Sequence, residues 1–154
     1  MSEIQTKYFG ETAYQPDSVF QFPGGLPGFE QERAFIFLER RDTDPLLFMQ
    51  SLVNPDLCFV LLPVLAVDPH YRLYFTPEDR AALRLGETRD PVIGEDILCA
   101  AVVCAGGESS PSINLLAPIV VNLRERLGVQ MIQSEAEYSH QHPLFPEPEP
   151  APCL

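Results

Sequence analysis

The run from Asn114 to Asn122 constrains the fold more than any other part of this chain. It is apolar between the two asparagines and carries Pro118 near its centre. A helix would hold Pro118 in its interior at a cost of about 3 kcal/mol, and a transmembrane helix needs about 20 apolar residues. The run is therefore predicted to be a broken strand at a sheet edge or a bulge, because proline lacks the N–H that a central strand donates.

The two asparagines have two possible roles. Asn114 and Asn122 could bond a partner segment that adds to this edge. The commoner role is to cap a turn by accepting hydrogen bonds from nearby backbone N–H groups. The sequence leaves both roles open.

Short apolar or alternating runs separated by Pro and Gly recur along the chain, and this spacing is typical of antiparallel β architecture. We expect an all-β fold, a small antiparallel barrel or sandwich. The runs are 4–9, 19–22, 34–38, 46–52, 58–62, 72–75, 97–104, 113–123 and 129–132.

One short helix is predicted near residues 77–84. Thr76 is suited to the N-cap, Pro77 to the first helical position, and Gly86 to the stop. Glu78 and Asp79 give the helix an acidic first turn. Ala82 and Leu85 are expected to form its packing face.

The chain is strongly acidic, with 22 acidic and 10 basic residues and a formal charge of −12. Nucleic acid is excluded as a direct partner because phosphate binding needs a basic surface. A basic protein would be attracted instead, although acidity also serves solubility. We expect no membrane contact, because the longest apolar run, 57–67, is interrupted by Pro63.

The length fits one domain, assigned to residues 1–144, followed by a Pro/Glu-rich tail over 145–154. The start has no secretory pattern, so a cytoplasmic protein is expected. Cys58, Cys99 and Cys104 fall in strand-like runs as reduced thiols, and Cys153 lies in the tail. The spacing of the cysteines fits neither a zinc site nor a redox pair.

Three further features of the sequence bear on a possible catalytic or ligand-binding role. The glycine-rich stretch 24–28 lacks the Lys-Ser/Thr of a phosphate loop and is interpreted as a stiff turn between Phe22 and Phe29. His140 and His142 would share one face of an extended segment, with Glu135 and Glu137 as candidate further ligands. An exposed terminal segment is the commoner interpretation, so no metal and no cofactor are expected. No nucleophile lies in a suitable context, so we expect no enzyme.

Five segments together resemble the FliW family of flagellar assembly factors, in the same order along residues 4–144. They are 6–10, 22–30, 49–52, 114–122 and 138–144, the last with Gln141 where the family ending has a basic residue. The resemblance implies a small cytoplasmic β protein that binds flagellin and the RNA-binding regulator CsrA. We expect the free protein to be a monomer.

One loop and one strand-like segment become candidate partner contacts, the 22–32 loop and the edge-like segment 112–122. The residues are Phe22, Leu26, Phe29, Glu30, Glu32, Asn114, Pro118 and Asn122. The alternative is a small-molecule or carbohydrate-binding β-barrel module with Tyr8, Phe29 and Tyr138 at the barrel mouth.

Overall fold

The computed structural model describes residues 1–86, 89–106, 109–134 and 137–145. Eleven strands form within these ranges: β1 Ser2–Thr6, β2 Gly10–Tyr14, β3 Phe20–Gln21, β4 Ala34–Glu39, β5 Leu47–Ser51, β6 Cys58–Pro63, β7 Ile97–Gly106, β8 Ser109–Ile113, β9 Ile119–Asn122, β10 Leu127–Gln130 and β11 His142–Pro143. The helices are α1 Val64–Val67, a single turn, and α2 Pro77–Leu83, and two 3-10 turns span Pro16–Ser18 and Arg41–Thr43.

Seven strands close into a barrel in the order β7-β6-β5-β4-β3-β10-β9, and β9 pairs back with β7. This confirms the expected all-β barrel. One contact departs from the antiparallel expectation, because β10 joins β3 through a parallel bridge between Leu127 and Gln21. The Gln21 N–H donates to Arg126 O at 2.9 Å beside that bridge, so the barrel closes through only a few hydrogen bonds.

Strand β7 is long enough to serve two sheets. Its first residues pair with β9, and its last residues pair with β8, which in turn carries β11 on its other side. The β1–β2 hairpin forms its own two-stranded sheet. It is attached to the barrel by a hydrogen bond from Lys7 N to Pro55 O (3.1 Å) and by an edge contact between the Phe9 and Phe48 rings.

The core has two layers because β7 and β9 are buried on both faces. Side chains alternate along a strand, so Ala100 and Val121 point into the barrel while Cys99 and Val120 point outward. The interior is filled by large side chains, among them Phe22, Phe35, Met49 and Leu61. The outer layer lies under the 64–85 connection, which contributes Val64, Tyr71 and Leu83.

The predicted helix is confirmed at its start and shifted at its end. Thr76 Oγ1 accepts from Asp79 N, the Asp79 side chain accepts from Thr76 N, and Pro77 opens the helix. The stop is not Gly86, because Arg84 already adopts the left-handed conformation (φ 54°). The buried side chain is Leu83, whereas Ala82 is exposed and Leu85 half-buried.

Several strand predictions need correction. The 72–75 run is not a strand; it is held instead by the buried Gln133 side chain, which bonds both the N–H and the carbonyl of Tyr74. Strands β2, β8 and β11 have no counterpart among the predicted runs. The sequence also predicts a turn-rich loop over 106–111, and β8 occupies part of it. Among the described residues, no helix is long and apolar enough to cross a membrane.

Candidate functional site

Four of the eight candidate contact residues are not surface residues. Phe22 and Leu26 are 0% and 3% exposed, Asn122 is 6% exposed, and Pro118 is buried. Their side chains are therefore unavailable to a partner that docks on this structure. Phe29 and Glu30 are exposed, and Glu32 and Asn114 are half-buried, so only these four remain candidates for direct contact.

The 112–122 segment is not an edge strand, which corrects the sequence prediction. It splits into the end of β8, a loop over residues 114–118, and β9, which pairs with β7 on one side and β10 on the other. Pro118 lies just before β9, where its missing N–H costs no ladder bond. The barrel closure converts the expected edge into an interior strand.

The loop over residues 114–118 is a structural junction, because each of its last four carbonyl groups has a partner. The donors are the Tyr71 hydroxyl, Gln133 N, Gln130 Nε2 and Met131 N, for the carbonyls of 115, 116, 117 and 118 respectively. Asn114 Oδ1 accepts from Ala117 N at 3.0 Å, which is the turn-capping role left open above. A loop whose backbone is satisfied in this way offers little to an added strand.

The 22–33 loop closes one end of the barrel. Phe22 seals the interior and packs so closely on Gly128 that a Cβ there would lie 2.4 Å from the ring. Within the loop, Leu26 and Phe29 exchange backbone hydrogen bonds of 3.2 and 2.7 Å, and Phe22 N donates to Arg33 O at 2.8 Å. Gly25 needs its glycine, with φ +67° and no room for a Cβ against the Glu30 backbone. The loop is therefore a stiff cap, as its prolines and glycines predicted.

The outer side of this cap is joined to the β5–β6 turn. Ser51 Oγ donates to Glu32 Oε2 at 2.5 Å and accepts from Val53 N and Asn54 N. Phe29 stands edge-on to Phe59 with the ring centroids 5.3 Å apart and remains 42% exposed. Val53, on the β5–β6 turn, is 57% exposed and is linked to the loop through Ser51, whose Oγ bonds both Val53 N and Glu32.

We call the surface formed by Phe29, Glu30, Glu32, Val53 and Asp56 the rim. It combines two exposed apolar side chains with three acidic residues. Two basic residues adjoin it: Arg33, whose side chain donates to the Glu30 carbonyl, and Lys7, whose N–H donates to Pro55 O. The sequence singled out the 22–32 part of this surface but not Val53 and Asp56. Their relation to it depends on the contact between Ser51 and Glu32, which no local pattern indicates.

The two C-terminal histidines do not form a metal site with any other described residue. His142 pairs with Ile113 in the β11–β8 ladder, and His140 is exposed. No group of three potential ligands occurs in the described ranges. Glu135, one of the ligands considered, lies outside those ranges.

The cysteines within the described residues, Cys58, Cys99 and Cys104, are free thiols. Burial raises the pKa of Cys99 to about 12 and that of Cys58 to about 11. These two thiols therefore stay protonated and act as small apolar residues. Cys153 lies outside the described ranges.

Comparison with known proteins agrees with the resemblance noted above. The family described as "FliW protein" matches residues 3–144. The flagellar assembly factor FliW of Desulfitobacterium hafniense (strain Y51) is 34% identical over 94% of this chain and 92% of its own length, and that of Geobacillus kaustophilus is 33% identical over 94% and 96%. A crystal structure of the flagellar assembly factor FliW superposes with a TM-score of 0.82 at 29% identity, covering 95% of this chain and 99% of that one. The relatives that resemble this chain are named flagellar assembly factors, and the chain therefore belongs to the FliW family.

Proposed function

We propose that this protein controls flagellin synthesis by binding flagellin and the translational regulator CsrA in the cytoplasm. The observation that carries the proposal is the family match over residues 3–144, with relatives named flagellar assembly factors. The proposed role is stoichiometric binding and involves no catalysis, cofactor or metal. The free protein is proposed to be a monomer.

The proposed mechanism is a mass-action switch. Free protein binds CsrA and relieves its repression of flagellin message. Unexported flagellin competes for the same protein, CsrA is released, and flagellin synthesis falls until export resumes. Such a switch needs only two partners whose dissociation constants for this protein are close to their cellular concentrations.

The charge of the protein supports a basic partner. A net charge of −12 attracts any protein whose RNA-binding surface is basic. The rim supplies two exposed apolar side chains, Phe29 and Val53, together with acidic residues, a combination that suits a basic partner with an apolar anchor. We therefore propose the rim as a contact surface for CsrA or flagellin.

The alternative, a carbohydrate- or small-molecule-binding barrel, has less support. Its supposed mouth residues do not come together: Tyr138 stacks on Tyr71 at 4.2 Å in the outer layer, and Tyr8 lies on the β1–β2 hairpin beside Phe9 and Phe48. The barrel interior is packed with core side chains. The alternative predicts a saturable thermal shift with metabolites and none with flagellin or CsrA.

Calorimetric titration of rim variants with each partner tests the proposal. Phe29→Ala and Val53→Ser should each weaken binding of at least one partner by about tenfold, as loss of an apolar anchor does. Ile132→Ser is the matched control, because Ile132 is 61% exposed and lies outside the rim. Unchanged affinity of both rim variants for both partners would remove the rim, and failure of the unaltered protein to bind either partner would remove the proposed function.

Inhibition of CsrA is expected to be partly electrostatic. When this acidic protein docks beside the RNA site of CsrA, it repels RNA phosphates that lie within a Debye length of about 8 Å. The affinity of CsrA for RNA therefore falls although the RNA site itself is not occupied. RNA must then weaken binding of this protein to CsrA by the same factor. Titration of CsrA with RNA at several fixed levels of this protein should show displacement that reaches a plateau, and the coupling should shrink as salt rises. Displacement that grows without limit would indicate a shared site.

A further inference from the structure

A pocket of about 270 Å³ lies between the end of α2, the segment 89–96 and the β9–β10 turn. Its described lining includes three arginines, Arg84, Arg89 and Arg124, and two acidic residues, Glu95 and Asp96. These described lining residues sum to one positive charge in a protein whose overall charge is −12. The pocket lies outside the rim and shares no residue with it.

The Arg89 guanidinium is already committed to the pocket wall. Its two terminal nitrogens bond the two carboxylate oxygens of Asp96 at 3.1 and 3.0 Å, and Val92 N also donates to Asp96 at 2.8 Å. These bonds hold the pKa of Asp96 below its usual value. Arg89 and Asp96 thus form a fixed, charge-compensated side of the pocket.

The guanidinium groups of Arg84 and Arg124 are not committed in this way. Within the described ranges, neither makes a hydrogen bond, and the Arg84–Glu125 pair is 3.9 Å apart, beyond hydrogen-bond distance. The neighbouring Arg80, by contrast, donates to Gly86 O and to Asp90. Two forked cationic donors are therefore available at the pocket.

The backbone conformation of Arg84 is a second observation at the same place. Arg84 and Arg126 are the two non-glycine residues with positive φ in the described part of the chain, both at 54°. The position just after a helix favours glycine, because a Cβ is crowded in the left-handed conformation. An arginine at this position therefore has a conformational cost that glycine would avoid, which points to a use for its side chain.

We propose that this pocket binds a carboxylate group that is attached to an apolar group, with Arg84 and Arg124 as the donors. The planar guanidinium fork matches a carboxylate, and the single positive charge left among the described lining residues suits a monoanion better than a phosphate dianion. Leu85, Pro91 and Leu123 give the pocket an apolar wall for the rest of the ligand. The source of the carboxylate is either an acidic side chain of a protein segment or a small carboxylic acid.

NMR titration of the full chain with sodium hexanoate tests this site, with hexanamide as the neutral isostere and sodium phosphate as the competing anion. Hexanoate should produce saturable shifts at residues 84–86, 89–96 and 122–126, and hexanamide should not. Phosphate should bind more weakly than hexanoate. Equal responses to hexanoate and hexanamide, or tighter binding of phosphate, would overturn the proposal.

Two variants separate a binding role from a structural one. Arg84→Gly should raise the melting temperature, because it relieves the left-handed strain, yet lower hexanoate affinity about tenfold through the lost charged donor. Arg124→Gln should lower affinity without that stabilisation. Arg72→Gln, an exposed arginine outside the pocket, should bind as the unaltered protein does. Full hexanoate affinity in both pocket variants would refute the assignment.

Two capped peptides then distinguish the sources of the carboxylate. Acetyl-Leu-Glu-Leu-amide binding more tightly than hexanoate would assign the pocket to an acidic protein segment, and the reverse order would assign it to a small acid. The matched glutamine peptide must bind more weakly than the glutamate peptide in either case. If it does not, the carboxylate assignment fails.

Discussion

Asn122 joins two layers of the molecule through one side chain. Its Nδ2 donates to Leu83 O at 2.7 Å, at the end of α2, and its Oδ1 accepts from Arg124 N and Glu125 N in the β9–β10 turn. The residue satisfies one helix-terminal carbonyl and two turn N–H groups. Its role in this structure is to anchor the helix to the barrel.

We therefore expect Asn122→Ala to lower the free energy of unfolding by about 2 kcal/mol, because one buried and two partly buried hydrogen bonds lose one partner. Asn114→Ala, which removes a single hydrogen bond from a half-buried side chain, should cost about 0.5–1 kcal/mol. Urea denaturation measures both. Equal costs would mean that the Asn122 network contributes nothing beyond an ordinary turn cap.

Cys99 makes stability sensitive to alkaline pH. Burial raises its pKa from 9.0 to about 12, so its contribution to stability is complete below pH 9 and is lost as pH rises toward 12. The loss approaches about 1.4 kcal/mol per pH unit where the unfolded thiol is ionised and the folded one is not. Tyr71, whose pKa burial also raises, adds to the loss above pH 10.

Urea denaturation curves measured between about pH 8 and about pH 10.5 check this dependence. Cys99→Ala should show a shallower decline in stability than the unaltered protein. Cys104→Ala is the matched control, because Cys104 is exposed and its removal should leave the slope unchanged. Parallel declines in all three proteins would show that the Cys99 thiol does not contribute.

At the scale of elements, the 22–33 loop owes its shape to one of two adjacent glycines. A Cβ on Gly25 would meet the Glu30 backbone at 2.5 Å, whereas a Cβ on Gly24 meets nothing within 4 Å. Gly25→Ala should therefore distort the cap and cost about 1–3 kcal/mol, with a weaker partner contact at Phe29. Gly24→Ala should be nearly neutral. Thermal melts and partner titrations of the pair measure both effects, and a neutral Gly25→Ala would show that the cap tolerates a different path.

Helix α2 and strand β9 show which features of an element a local sequence pattern predicts and which it does not. The start of α2 followed from Thr76, Pro77 and Asp79, because a capping box acts within four consecutive residues. Its end did not, since the left-handed residue is an arginine where glycine is the usual choice. The strand character of 119–122 was also predicted, but its position in the sheet was wrong because pairing partners lie far away in the sequence.

At the scale of the whole molecule, the barrel holds its core within residues 1–144. Phe145, the last described residue, is 64% exposed, and residues 146–154 lie outside the described ranges. Deleting residues 145–154 should leave the melting temperature within about 2 °C, because an acidic, proline-rich segment buries little apolar surface. Differential scanning calorimetry measures the change. A larger loss would place part of the tail in the folded domain.

What the sequence determined by itself is local or compositional. Neighbouring residues determine the strand runs, the cap of α2 and the stiffness of the 22–28 turn, and the counts of charged residues determine the acidity. The matching segments, in their order along the chain, were enough to indicate the FliW family. The tertiary structure decided what depends on distant contacts. Closure of β9 against β7 and β10 buried Pro118 and Asn122, the parallel bridge at Gln21 sealed the barrel, and Ser51 joined Val53 to Glu32. Each of these results depends on which distant segments pair, and a local pattern constrains only the faces of a strand.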